Sequence, residues 1–156
     1  MLDWFQKLAQ LLDFSLREIE QSFTEINLTV RTTPEEVSPH PILLALLVVV
    51  KTADPELYAD LATGNATVDK LLAYVRPFGH YRWEALIEAA FMCDFIGERD
   101  VDRRLNELDK LAELGNDVQN KRARRTFDAV ALFRKTDNVK PIRSIIARLA
   151  IASDFE

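Results

Sequence analysis

Pro41-Ile42-Leu43-Leu44-Ala45-Leu46-Leu47-Val48-Val49-Val50 holds the longest apolar run of the chain, and its reading decides the fold. Pro41 suits the first position of a helix, where a backbone N–H would have no intrahelical partner and the fixed φ is already helical. A helix that is apolar all round is a central, buried one. Three consecutive valines also suit a buried strand, but a strand needs a partner and no second strand candidate occurs in this sequence. The run therefore reads as a buried helix, and the fold as all-α. It falls well short of the ~20 residues a membrane-spanning helix needs.

Start and stop signals on either side give further helices. Upstream, Thr32 to Pro41 contains Pro34, Pro39 and Pro41, so it reads as a connection with extended residues before each proline. Before it, Ser15-Leu16-Arg17-Glu18 is a capping box that starts a helix near Leu16. Its stripe Leu16, Ile19, Phe23, Ile26 and Val30 is the expected core face, with Arg17, Glu18, Glu20, Gln21, Thr24 and Glu25 elsewhere. Leu2 to Phe14 puts Phe5, Leu8, Leu11 and Leu12 on one helical face.

Downstream, Asp54-Pro55-Glu56 is an N-cap, a proline and an acid in the first turn, and Gly64 is the matching stop. A short helix from Thr67 ends before Pro77, and Phe78-Gly79-His80-Tyr81 turns into a helix over Arg82 to Phe95 with Leu86, Ala89, Ala90 and Cys93 inward. Val101 to Leu114 follows Gly97, with Leu105, Leu108, Leu111 and Leu114 as its apolar face. Gly115-Asn116 closes it, and helices over Asp117 to Arg134 and Pro141 to Ala152 complete the chain, the last with an Ile142, Ile145, Ile146, Leu149 stripe. The expectation is a single irregular bundle of about eight helices over residues 1–156, with no fixed-period repeat.

The composition supports such a bundle. With 156 residues, 48% hydrophobic and 29% charged, the chain can bury a proper core without staples. One cysteine, Cys93, and two histidines, His40 and His80, exclude an intramolecular disulfide and a multi-Cys/His zinc site. No GxxxxGK[ST] or GxGxxG phosphate loop occurs, so no cofactor or metal is expected and the chain reads as a binding module, not an enzyme. The start has neither a basic n-region nor a cleavage site, which together with the free cysteine predicts a cytoplasmic protein without a membrane partner. The net charge of -5 is uneven: residues 121–156 carry about +5 and residues 1–120 about -10. Such a dipole either steers an acidic partner or holds two parts of the fold together.

Ser15-Leu16-Arg17-Glu18-Ile19-Glu20-Gln21-Ser22-Phe23-Thr24-Glu25-Ile26-Asn27-Leu28 resembles a helix in the C-terminal helical part of KAP-family P-loop NTPases, in which Ser or Pro is followed after one residue by Arg, Asp or Glu, and Ile. The resemblance covers roughly residues 14–32 and is loosely continued by the helical remainder. It implies for Arg17 a sensor-like place beside nucleotide phosphates, with Glu20 one turn on. The departure is plain: the family carries Walker motifs upstream of this helix, and here there are none, so hydrolysis by the family's mechanism is excluded. The chain looks like the lid or tail region detached from its motor, as a separate product or, less favoured by the opening Met1, a truncation. The implied function is a protein-interaction module that completes or inhibits a partner P-loop NTPase, in a bacterial or phage setting that includes defence systems.

Two clusters compete for the site. Arg17 offers five fixed donors at a helix N-terminus, a suitable anion contact, while its ordinary role is a surface pair with Glu20 or Gln21. Lys121-Arg122-Ala123-Arg124-Arg125 is the densest basic cluster, on a helix that follows a helix and a Gly-Asn turn, as in a helix-turn-helix. Residues 121, 124, 125 and 128 share a face. This cluster supports the alternative function, nucleic-acid binding, against which stand the overall acidity and the lack of interleaved Asn, Gln or Ser; a solvated face or a site for an acidic protein is the other reading. His80, between aromatic and cationic neighbours, reads as a turn histidine, Cys93 as a buried small hydrophobe, and Asp54, Glu56, Asp100 and Asp102 as acids serving helix starts.

Overall fold

The computed structural model describes residues 2–33, 39–115, 117–136 and 140–153. Among them the chain forms nine α-helices and no strand, as the all-α reading requires: α1 (Leu2–Leu11), α2 (Leu16–Arg31), α3 (Pro41–Ala53), α4 (Pro55–Thr63), α5 (Val68–Leu72), α6 (Tyr81–Phe95), α7 (Glu98–Glu113), α8 (Val118–Lys135) and α9 (Pro141–Ser153), with a 3-10 turn over Arg76–Phe78. By internal contacts the chain divides into two compact units, residues 1–66 with 142–156, and residues 67–141, a division that does not follow the change of charge at residue 120.

In the first unit α3 is the centre. It packs against α1, α2 and α4, and Leu43 to Val50 are all buried. His40 caps it, the Nδ1 atom accepting the Ile42 N–H at 3.3 Å. Burial holds the His40 imidazole below its ordinary value, because an apolar surround disfavours the charged ring. Asp54 ends α3 and caps α4, accepting the Leu57 N–H at 2.9 Å, and Gly64 takes the left-handed conformation, φ 82°, that stops α4. Of the connection over Thr32 to Pro41, residues 34–38 lie outside the described residues, as does Asn116 of the later turn.

The capping box forms as expected, with Glu18 accepting the Ser15 N–H at 2.7 Å and Ser15 accepting the Glu18 N–H at 3.3 Å. The core face of α2 is different. Leu16 is 72% exposed and Val30 47%, while Ser22, Glu25, Ile26 and Thr29 are the buried set. Glu25, expected outside the apolar stripe, is 3% exposed because Lys51 of α3 reaches its carboxylate at 3.0 Å, and the same ammonium donates to Ser153 Oγ of α9 at 2.8 Å. Of the expected stripe Ile26 is buried and Ile19 and Phe23 are half-buried, so α2 turns inward along the edge of that stripe which carries Ser22, Glu25 and Thr29. In α1 the buried set is Trp4, Phe5, Leu8 and Ala9, with Leu11 exposed; the Phe5 and Phe23 rings meet at 4.8 Å between centroids.

In the second unit α6, α7 and α8 run up, down and up. Asp102 and Asp109 of α7 meet Arg134 and Arg124 of α8, in antiparallel order, whereas Arg122 near the start of α8 meets Glu84 and Glu88 in the first half of α6. α6 and α8 pack closely along their lengths, α7 on α8, and α5 on α6. Of the expected leucine face of α7, Leu108 is buried and Leu105 half-buried, while Leu111 and Leu114 are exposed, Leu114 at 77%; Val101 is buried beside them. α6 buries Ala85, Ile87, Ala89, Ala90, Phe91, Met92 and Asp94, more of its circumference than the inward stripe foresaw. Asp100 and Asp102 do more than serve the start of α7, since they bind Arg103 and Arg134. Asn120 lies against the α7–α8 turn, where its amide, with nitrogen and oxygen exchanged, donates to Leu111 O at 2.9 Å and accepts the Gly115 N–H at 3.1 Å.

Candidate anion-binding surface

The basic cluster of α8 does not act as one patch. Arg122 points into the bundle and donates to Glu84 at 2.8 Å and Glu88 at 3.0 Å. Glu88 also accepts from Arg104, which reaches Glu107, so three arginine–carboxylate links tie α6, α7 and α8 together. Arg124 lies at 3.3 Å from Asp109 and 3.7 Å from Asp128, its guanidinium over the Phe127 ring at 5.7 Å. Lys121 and Arg125 are exposed and meet no carboxylate at ion-pair distance among the described residues.

The start of α6 extends this pair of free cations. Because Arg122 holds Glu84, and α6 and α8 run parallel, Tyr81 and Arg82 stand at the same end of the bundle as Lys121 and Arg125. The Tyr81 phenol is lowered from its ordinary value, chiefly by the hydrogen bond that Arg82 donates; burial opposes this, and the charges of Arg82, Arg125 and Lys121 lower it further. Arg82, like the other two, is exposed and has no acid partner among the described residues. Beside it the His80 ring lies 4.4 Å from that of Trp83, and Phe78 meets Trp83 edge-on at 5.5 Å. The surface therefore combines three unneutralised cations, a polarised phenol and a group of aromatic rings. Arg82 and Tyr81 were missed as part of it, although Gly79-His80-Tyr81-Arg82-Trp83 already stood out as aromatic and cationic; the register of α6 on α8 is the missing information.

Arg17 is exposed in the first turn of α2 and pairs with neither Glu20 nor Gln21; Glu20 is exposed as well. His80 stands at the N-cap of α6 without a side-chain capping bond. Cys93 is half-buried, its thiol pushed up to about 11 by burial first and by Asp94 second, so little nucleophilic thiolate forms at neutral pH. A groove of about 480 Å³ in the second unit has an apolar floor of Phe91, Met92 and Ile96, but its arginines are held by their own acids. A groove of about 590 Å³ between α1 and α2 is lined by Phe5, Phe14, Ile19 and Phe23. Among the described residues no group of three or more His, Cys, Asp or Glu is arranged to hold a metal ion, and no helix is long and apolar enough to cross a membrane. No family model, curated protein or solved structure matches this chain.

Proposed function

We propose that the chain is a non-catalytic binding module that holds an anionic macromolecule on the surface formed by the starts of α6 and α8. One observation carries this reading: Arg104, Arg122, Arg124 and Arg134 in the same bundle are each neutralised by a carboxylate, whereas Arg82, Lys121 and Arg125 are left as a like-charged group. Clustered like charges repel, and an anion supplied from outside relieves that repulsion. The test is the salt needed to elute the protein from immobilised heparin. Reversing all three charges, R82E/K121E/R125E, is expected to lower it far more than reversing Arg99, an exposed arginine of the same unit; equal effects would remove the reading.

A second reading has its own support. Arg17 stands exposed, with no ion pair among the described residues, beside a capping box that already engages Ser15 and Glu18, which leaves its guanidinium available to a partner. On the resemblance of residues 14–32, that partner is a P-loop NTPase, whose nucleotide Arg17 would reach with Glu20 alongside. Adding the chain to a separately produced KAP-type NTPase core is expected to change its ATPase rate, and R17A to abolish the change. An unchanged rate with the intact chain would end this reading.

A further inference from the structure

We infer that the anionic macromolecule is a single-stranded polynucleotide, with its phosphates on Arg82, Lys121 and Arg125 and a base against the aromatic side chains at the start of α6. The inference rests on the binding-module reading and narrows it. Lys121 and Arg125 are four residues apart on one helix, about 6 Å along its axis, a spacing suited to successive phosphates of an extended strand. Arg82, on the neighbouring helix, widens the row so that the strand runs across α6 and α8 and not along one helix.

The aromatic group separates this ligand from an acidic polypeptide. Carboxylates would use the three cations and leave the rings without a role, whereas a nucleobase has a π-face that stacks on any exposed aromatic, which is how sequence-tolerant single-strand binding works. His80 is exposed and Tyr81 and Trp83 are half-exposed, within the same five residues as Arg82. A duplex fits less well. Reading a major groove requires a helix that presents a full face, but α8 is packed on both α6 and α7 and turns Arg122 inward onto Glu84 and Glu88. The net charge of -5 opposes any polyanion at long range, so binding depends on the local contacts and is sensitive to salt.

Three phosphate contacts on a single strand give a log–log salt slope of about -2, or roughly 20-fold weaker binding at 200 mM than at 50 mM salt. The experiment is fluorescence anisotropy with three labelled probes: oligothymidylate, an abasic oligomer of equal length, and polyglutamate of equal charge. Oligothymidylate is expected to bind with that slope, and the abasic oligomer and polyglutamate at least about tenfold more weakly, since each stacked base adds to the phosphate contacts. R82E/K121E/R125E is expected to abolish binding of all three. His80→Ala, at an exposed position, and Trp83→Leu are expected to weaken oligothymidylate alone, with circular dichroism confirming that each variant folds. Equal binding of the abasic oligomer or of polyglutamate overturns the polynucleotide while leaving the anion-binding surface intact. Failure of all three probes, together with no retention on heparin, overturns both.

Discussion

Residues 1–66 with 142–156 carry twelve acidic residues against six basic ones and bury the Glu25 carboxylate under a part-exposed Lys51. Residues 67–141 carry thirteen against fourteen and lay their ion pairs along the sides of α6, α7 and α8. In the first unit the packing around the pair is imperfectly satisfied: Ser22 Oγ, Thr29 Oγ1 and Glu25 Oε2 are buried without a hydrogen-bond partner among the described residues. Burying such a group uncompensated costs about 1–3 kcal/mol. In the second unit the pairs of Arg103, Arg124 and Arg134 are open to water and contribute little, while the Arg122 links to Glu84 and Glu88 are partly enclosed. A buried charge fixes which face of a helix turns inward, while an exposed ladder tunes register at a small gain.

The largest expected effect breaks the first half of this comparison. Lys51→Met leaves the Glu25 carboxylate buried without its cation and is expected to cost about 3 kcal/mol, as for other buried pairs that lose one member. Pairing it with Glu25→Leu is expected to restore most of the loss, because the hydrophobic pair needs no desolvated charge. Urea unfolding of both variants checks this; a single variant within 1 kcal/mol of the parent would mean that water already reaches Glu25. Removal of Arg122, the most enclosed cation of the second unit, is expected to be milder, about 1–2 kcal/mol for Arg122→Ala, since Glu88 keeps Arg104. The loss should shrink in high salt, which the Lys51→Met loss should not.

A pH titration sharpens the contrast further. The folded His40 pKa lies below the unfolded value, so the unfolded chain takes up the proton first. The contribution of His40 to stability is present above about pH 6.5 and lost as the pH falls from there through the lower folded value. Protonation of Nδ1 also removes the acceptor for the Ile42 N–H. In His40→Gln the slope of unfolding free energy between pH 7 and 5 should be shallower; an unchanged slope would place the titration elsewhere. The smallest effect belongs to the free cations. Lys121→Ala and Arg125→Ala are each expected to shift stability by less than about 0.5 kcal/mol, while both reduce retention on heparin.

Most of the helices were legible because their ends are written locally. The Ser15–Glu18 box, the Asp54 cap and the Pro41 and Pro55 first turns depend on neighbours a few residues away, so the sequence shows them directly. Faces were less legible. Of the α2 stripe Leu16, Ile19, Phe23, Ile26 and Val30, Ile26 is buried and Ile19 and Phe23 half-buried, but Leu16 and Val30 are exposed and Ser22, Glu25 and Thr29 are inward instead; the partner that makes Glu25 buriable sits twenty-six residues on, at Lys51. The candidate site shows the same limit. Lys121, Arg122, Arg124 and Arg125 were visible as a cluster, but which of them remain free depends on Glu84, Glu88 and Asp109 on other helices.

By itself the sequence determined the all-α class, the positions of the caps, and the burial of α3, whose uniformly apolar run has no face that water could wet without cost. Only the tertiary structure decided which residues of α2 and α7 turn inward, the parallel register of α6 on α8, and the end of the bundle that Arg82 and Tyr81 share with Lys121 and Arg125. The reason is range. Capping and periodicity act over a turn of helix, whereas the neutralisation of a charge depends on whichever opposite charge packing brings within a few ångströms, however distant in the chain.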